Sequence, residues 1–222
     1  MNTLLTLKVQ AGLCVLGACA YTRDMFAGII EGTCPLIDIT SHSGGKRFVV
    51  DLGDFADGVM LGVSIAVQGV CLTVSQLNGT HASFDVMNET LKKTTLGSLN
   101  AARKVNIERS LKVGDRIDGH FVQGHVFGLG TIKERIDTPQ EFKLWIEGDE
   151  MMKYVAPVGS IAVDGVSLTV ADVQDGQFAV ALIPTTLQLT TLGTLHAGDR
   201  VNLEPDVMAR QVVHYLETFK GR

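Results

Sequence analysis

The chain has 222 residues, 45% of them hydrophobic and 19% charged, with a formal net charge of −5 at pH 7. This balance suits compact globular domains rather than a disordered chain, and with no basic excess it gives no reason to expect nucleic acid as a partner. After residue 25 no apolar run is long enough to cross a bilayer, so no membrane partner is expected either.

Residues 1–24 are mostly apolar from Leu4 to Ala20 and end in small residues around Gly17 and Cys19. They read either as a weak secretory signal or as an upstream extension, loose or not native, with Met25 the working start. The second reading is the expectation, because the body of the chain carries no disulfide pattern. Its cysteines (Cys14, Cys19, Cys34, Cys71) show no C-x-x-C spacing and no partnering histidine cluster. That leaves no case for a zinc site or a disulfide framework and points to a reduced cytoplasm.

From Met25 the text turns β-like. Phe26 to Thr33 mixes apolar residues with Gly28 and Gly32, as a strand that bends or meets a ligand would. Arg47 to Leu52 and Ala82 to Val86 are strand candidates. Ser64–Val67 and Val70–Val74 flank Gln68-Gly69, the signature of a tight hairpin, although Gln accepts a positive φ less readily than Asp or Asn. Asn88 to Leu91 starts a single helical turn, and Val105 to Glu108 closes the unit as a strand.

The same text then returns at an offset of 96 residues. Ser64-Ile-Ala-Val-Gln-Gly-Val-Cys-Leu-Thr-Val74 reappears as Ser160-Ile-Ala-Val-Asp-Gly-Val-Ser-Leu-Thr-Val170, and Thr94-Thr-Leu-Gly97 as Thr190-Thr-Leu-Gly193. Val105, Asn106 and Glu108 match Val201, Asn202 and Glu204, while Gly28 and Gly32 match Gly124 and Gly128. So constant an offset marks a duplicated domain. Short strands between turns, with almost no long amphipathic helix, make each copy a small antiparallel barrel. One element has no twin. Met208 to Lys220 carries an apolar stripe (Val212, Val213, Tyr215, Leu216, Phe219), a helix that packs on its own barrel or meets partner helices. The organisation is therefore an extension (1–24), a first barrel (25–120), a second (121–206) and a C-terminal helix (207–222).

The copies differ where chemistry could sit. Cys71 faces Ser167 across the repeat, and His125 has Ile29 as its counterpart. Cys71 reads equally as a nucleophile or as a small buried hydrophobe in a strand. His125 suits a general base or a structural histidine. His120 and His125, five apart on a presumed strand, face opposite sides, which argues against a metal pair. No phosphate-cradling loop, Ser-His-Asp order or dinucleotide fingerprint is present, so cofactor-free binding of flat polar heterocycles is the reading the residues allow.

At these residues a resemblance becomes specific. Met25-Phe-Ala-Gly-Ile-Ile-Glu-Gly-Thr33, Gly69-Val-Cys-Leu-Thr-Val74, Gly119-His-Phe-Val-Gln-Gly-His125 and Asp164-Gly-Val-Ser-Leu-Thr-Val170 resemble the α-chain type of riboflavin synthase, a lumazine-binding repeat family, from Met25 to Glu217. The resemblance implies an all-β fold of two tandem six-stranded antiparallel Greek-key barrels, like those of flavin reductases, plus a C-terminal oligomerisation helix and a homotrimer, with lumazine synthase a further partner. It implies a transferase that needs no cofactor and no metal. Two molecules of 6,7-dimethyl-8-ribityllumazine exchange a four-carbon unit to give riboflavin and 5-amino-6-(D-ribitylamino)uracil. Two like pockets would supply proximity and orientation for two copies of one substrate.

By the same resemblance Ser64, Cys71 and His125 assist proton transfer or nucleophile activation. Gly28, Ile29, Ile30, Cys71, Leu72, Thr73, Asp85, Val86, Met87, Asn88, Glu89, Thr90, Gly124, His125 and Val126 line a first pocket. Ser167, Leu168, Thr169, Leu182, Ile183, Pro184, Thr185, Thr186 and Leu187 line a second, and Asp206 is placed to reach a neighbouring site. Four positions depart from the family pattern. Val158 replaces a ligand-contacting lysine, Thr185 a Glu or His, Phe127 a frequent Asp, and Gln68 the hairpin Asn. Two other readings stand beside the enzyme: a non-catalytic antenna-type lumazine or flavin protein, and the flavin domain of a reductase, for which no nicotinamide-binding half is present.

Overall fold

A computed structural model of the chain describes residues 25–219; the 1–24 segment, with its two readings, and residues 220–222 lie outside the described residues. The first copy supplies β1 (Gly32–His42), β2 (Gly45–Asp51), β3 (Ser64–Val67), β4 (Val70–Asn78), β5 (His81–Met87) and β6 (Lys104–Arg109). The second supplies β7 (Gly128–Asp137), β8 (Phe142–Glu147), β9 (Ser160–Val163), β10 (Val166–Gln174), β11 (Gln177–Ala181) and β12 (Arg200–Pro205). Each set closes into an antiparallel barrel, the first in the order β1-β2-β5-β4-β3-β6 and the second in the matching order. After the β1–β2 hairpin the chain crosses to β3 and returns through β4 to lay β5 beside β2, a Greek-key path.

Alternation decides which side chains fill the barrels. On β4 Val70, Leu72 and Val74 point inward, while Cys71, Thr73 and Ser75 point out; on β10 Val166, Leu168 and Val170 point in and Ser167 and Thr169 out. Each barrel thus holds its own core, with Leu36, Phe48, Phe84 and Ile107 in the first and Ile132, Leu144, Phe178 and Leu203 in the second. Burying each such side chain is worth about 1.5–3 kcal/mol.

The hairpin turns behave as the X-Gly pairs predict. Gln68 and Gly69 have φ of 52° and 75°, and Asp164 and Gly165 of 48° and 83°, the all-positive pattern of a type I′ turn. Gln68 is held there by its own side chain, which accepts from Asn106 N–H (2.9 Å) and donates to Thr191 Oγ1 (3.1 Å). The turns meet back to back: a Cβ on either glycine would lie 2.8 Å from the other's Cα. Around them two fully buried asparagines tie the barrels together. Asn106 donates to Asp164 O (3.0 Å) and accepts from Thr191 N–H (2.8 Å); Asn202 donates to Gln68 O and Thr95 Oγ1 (both 2.8 Å) and accepts from Thr95 N–H (2.7 Å).

Two expected strands are not strands. Residues 26–31 and 120–127 are irregular loops joined by one bridge, Phe26 with Val122, and β1 begins only at Gly32. Gly28 and Gly124, at φ of 73° and 71°, turn these loops away from a ladder. Each loop crosses to the other barrel. Ile30 packs in the second core and Val126, its counterpart, against the first. Between them Phe26, Val122, Ala66 and Ala162 form a small third cluster.

The single turns are the helices α1 (Asn88–Lys93) and α2 (Pro184–Leu189), and the unpaired helix is α3 (Val207–Phe219). None of α3 is buried; it touches the barrel at the turn 149–154, where Lys153 pairs with Glu217 (2.8 Å), and exposes Met208, Val212, Tyr215, Leu216 and Phe219.

Candidate functional site

The outward faces of β4 and β5, with α1, form one surface, and those of β10 and β11, with α2, form its duplicate. On the first, Cys71 is half-buried and Thr73, Asp85, Met87, Asn88 and Glu89 are exposed, with Thr90 beside them. Arg47 grips Asp85 through two bonds (2.7 and 3.0 Å), which holds that carboxyl below the ordinary range. On the second, Ser167 is half-buried, Thr169, Ile183, Pro184 and Thr185 are exposed, and Thr186 and Leu187 are partly covered. Leu72, Val86, Leu168 and Leu182 point into the barrels, so they offer these surfaces only backbone.

The crossing loops complete each surface from the other copy. Gly124 O accepts from Cys71 N–H (3.0 Å), and a Cβ on Gly124 would sit 2.6 Å from Cys71 Cβ. Gly28 O accepts from Ser167 N–H (2.8 Å), and its missing Cβ is likewise 2.6 Å from Ser167 Cβ. Only glycine fits at either place. The structure therefore gathers Cys71, Gly124 and His125 at one point and Ser167 and Gly28 at another. Ile30 and Val126 serve as anchors of their loops. Cys71 also packs against the Phe26–Val122 cluster, so it is at once part of a hydrophobic seam and of the outer face.

Ser64, at the start of β3, is buried and pairs in register with Thr73. Both line a cavity of about 1100 Å³ with Ala27, Ile29 and Glu108, bounded by residues 57–63 and by the interdomain segment 110–118. That volume is ample for a bicyclic heterocycle with a polyol chain. Glu108 is buried beneath the Ala27–Ile29 loop. Burial pushes its carboxyl up to about 7, against hydrogen bonds from the loop amides. Its counterpart Glu204, under Gln123–His125, is raised for the same reason. Cys34 lies buried in the first core, its thiol pushed up to about 11, which leaves it a poor nucleophile beside Cys71.

One group was missed from sequence. His120 Nδ1 lies 2.7 Å from Ser167 Oγ, and its backbone N–H donates to Ala27 O (3.1 Å). Burial lowers its pKa against the pull of Asp206, so the ring is neutral at neutral pH; its Nε2 is buried with no partner among the described residues. A neutral imidazole on a hydroxyl can orient it or take its proton. The assumption of a strand across 120–125 hid this. Val158, exposed, sits at φ 62° where its counterpart is Gly62. Phe127 stacks edge-on against Tyr154 (5.0 Å) and has the Arg210 guanidinium over its ring (6.0 Å). Among the described residues no three metal-ligating groups converge, and no helix is long and apolar enough to cross a membrane.

Comparison with known proteins gives this duplication a family. The lumazine binding domain matches twice, at residues 27–110 and 123–206. The chain is 41% identical to riboflavin synthase of Escherichia coli over 87% of its length and 92% of the relative's, and 39% identical to that of Chlamydia muridarum over 89% and 98%. A crystal structure of LumP complexed with 6,7-dimethyl-8-(1'-D-ribityl) lumazine superposes with a TM-score of 0.72 at 25% identity, covering 80% of this chain and 97% of that one. A LumP complex with riboflavin gives a TM-score of 0.75 at 24% identity, a likeness of fold. Two lumazine-binding barrels, with the loop of each completing the face of the other and curated relatives matched almost end to end, place the chain in the riboflavin synthase family.

Proposed function

We propose that the chain transfers a four-carbon unit between two molecules of 6,7-dimethyl-8-ribityllumazine, yielding riboflavin and 5-amino-6-(D-ribitylamino)uracil. The observation that carries this reading is the 41% identity to a riboflavin synthase over 87% of the chain, with both repeats whole. The products together hold all the atoms of two substrate molecules, so no co-substrate is consumed, and the reading calls for no added cofactor or metal. One lumazine must lose a proton from its 7-methyl group, and the other must accept a nucleophile at C7. Cys71 on one face, with Ser64 and Thr73 nearby, suits nucleophile activation. His125 beside Cys71 and His120 on Ser167 are the groups placed for proton transfer. Asp85, Met87 and Thr90 on one face, and Thr169, Ile183 and Thr185 on the other, frame the two rings.

In this reading the two facing pockets come from neighbouring chains. The bare apolar stripe of α3 suits the homotrimer expected for this family, with Asp206 at its root directed to the neighbour. A cytoplasmic setting and lumazine synthase as supplier belong to the same reading. A non-catalytic, LumP-like chromophore carrier is the rival, favoured by the superposition on a LumP–lumazine complex. The intact Cys71 and Ser167 segments and the higher identity to synthases favour the enzyme.

The test is direct. Purified protein given the lumazine alone, with a chelator present, should produce riboflavin, followed by its absorbance. Bound chromophore without product would leave only the carrier; turnover lost on chelation would overturn the metal-free mechanism.

A further inference from the structure

The strangest groups near the two faces are the buried glutamates of β6 and β12. Glu108 is 4% exposed, its Oε1 accepting from Ala27 N–H (2.7 Å) and both its oxygens from Gly28 N–H (3.1 Å each); Glu204 is 3% exposed, its Oε1 accepting from Gln123 N–H (2.7 Å) and its Oε2 from His125 N–H (2.9 Å). Burying a carboxylate is costly, and this fold shows that a neutral amide can cap a backbone N–H, since Gln68 does so for Asn106. A side-chain amide, however, offers one acceptor, and its NH2 would oppose the next N–H. A carboxylate offers two and can take successive amides of one loop. Both loops cross to the other barrel, where Gly124 O meets Cys71 N–H and Gly28 O meets Ser167 N–H.

We infer that Glu204 and Glu108 are positioning residues, each fixing the loop that crosses to the other barrel and through it Cys71 or Ser167 on the opposite copy's ligand face. Glu204 sets the Gly124–His125 loop on Cys71; Glu108 sets the Ala27–Ile29 loop on Ser167. Each carboxylate acts through the loop amides it holds. The second barrel thereby controls the first barrel's thiol, and the first barrel controls the second's hydroxyl.

The kinetic part of the test rests on the proposed function; the rest does not. With the full-length protein, Glu204→Gln and Glu108→Gln should each lower kcat at least tenfold while KM moves less than threefold, with Glu204→Ala worse than Glu204→Gln. Cys71 alkylation by iodoacetamide, quantified on its own peptide, should quicken more than fivefold in Glu204→Gln and stay within twofold in Glu108→Gln. Equal alkylation in both variants, or wild-type kcat in both, would overturn the inference. If Glu204→Gln does not fold, amide exchange in the wild type decides: Gln123 and His125 should be strongly protected, and exchange at the rate of an open loop would overturn the assignment. A wild-type protein that makes no riboflavin defeats the proposed function alone, because alkylation and exchange still report on positioning.

Discussion

The two barrels differ least where they meet and most where they face outward. At the seam Asn106 and Asn202, Glu108 and Glu204, and the paired glycines repeat the residue and most of the bonding. Outside, Cys71 stands for Ser167. The bidentate Glu31–Arg109 pair (2.6 and 2.9 Å), with Arg109 also on Asp57 O, stands where Phe127, Tyr154 and Arg210 stack in the other copy. The seam is constrained because every buried N–H and carbonyl there needs a partner in both halves at once. The outer faces carry no such reciprocal demand, so one copy could keep a thiol and the other a hydroxyl. A pair of like faces with unequal side chains suits a reaction between two identical molecules in unequal roles.

Making the faces alike breaks this comparison most severely. Cys71→Ser, which gives the first face the residue of the second, should lower kcat on the order of 10²–10⁴-fold, the range for loss of one positioned catalytic group, with lumazine affinity changed less than about threefold. Steady-state turnover beside a fluorescence titration separates the two. Unchanged turnover would return Cys71 to its place in the hydrophobic seam.

The turns offer a sharper contrast, because a carboxyl and an amide do one job. Asp164 Oδ1 accepts from Asn202 N–H (2.8 Å) as Gln68 Oε1 accepts from Asn106 N–H. Burial pushes the Asp164 carboxyl up to about 7, against the bonds from Asn202 and Gln68. A carboxyl raised in the folded state stabilises the fold fully below the ordinary aspartate pKa, and that contribution is lost as pH climbs from about 4 through about 7. Asp164→Asn should therefore be more stable than wild type at pH 8, by at most about 4 kcal/mol, with the gain shrinking to about 1.5 kcal/mol at pH 5. Glu108 and Glu204 are raised too, so the difference between variant and wild type is the quantity to read from urea melts at both pH values. A constant difference would show that Asp164 does not titrate in that window.

Much of this duplication could be read from the text, and some could not. The X-Gly turns, the alternation on β4 and β10 and the lone helix are local signals, and each lies where its residues require. β1 and β7 went unlocated because much of their length carries mixed, half-exposed residues with little alternation to read, and β8 because it is a short, mostly buried run without strict alternation. The exchange of loops left no local trace. Ile30 and Val126 look like ordinary apolar residues until the fold sends each into the wrong barrel. His120 was hidden for the same reason: its partner Ser167 lies 47 residues away, in a contact made possible by Gly28 and Gly119 lying flat on Ser167.

The asparagines test whether the seam is as symmetric as it looks. Asn202→Ala removes three side-chain bonds and Asn106→Ala two, and each leaves buried backbone groups unpaired. Each orphaned group costs about 1–3 kcal/mol, so both variants should lose roughly 2–6 kcal/mol, with Asn202→Ala the worse by about 1 kcal/mol. Equal midpoints in thermal melts would mean that the Thr95 hydroxyl contributes nothing.

Val158 is the smallest difference and the easiest to measure. Its backbone copies Gly62, but a β-branched side chain in the left-handed region is strained, and at 81% exposure it gains little burial in return. Val158→Gly should relieve the strain, yet glycine also loses more chain entropy on folding, so the net gain should be about 1 kcal/mol or less. Val158→Lys keeps an unfavourable backbone but adds a cation at the rim of the second face. If that face lacks a charge partner for its ligand, the lysine should raise lumazine affinity several-fold while leaving the melting midpoint near wild type. A gain in neither property would show that the second barrel already compensates for both the strain and the absent cation.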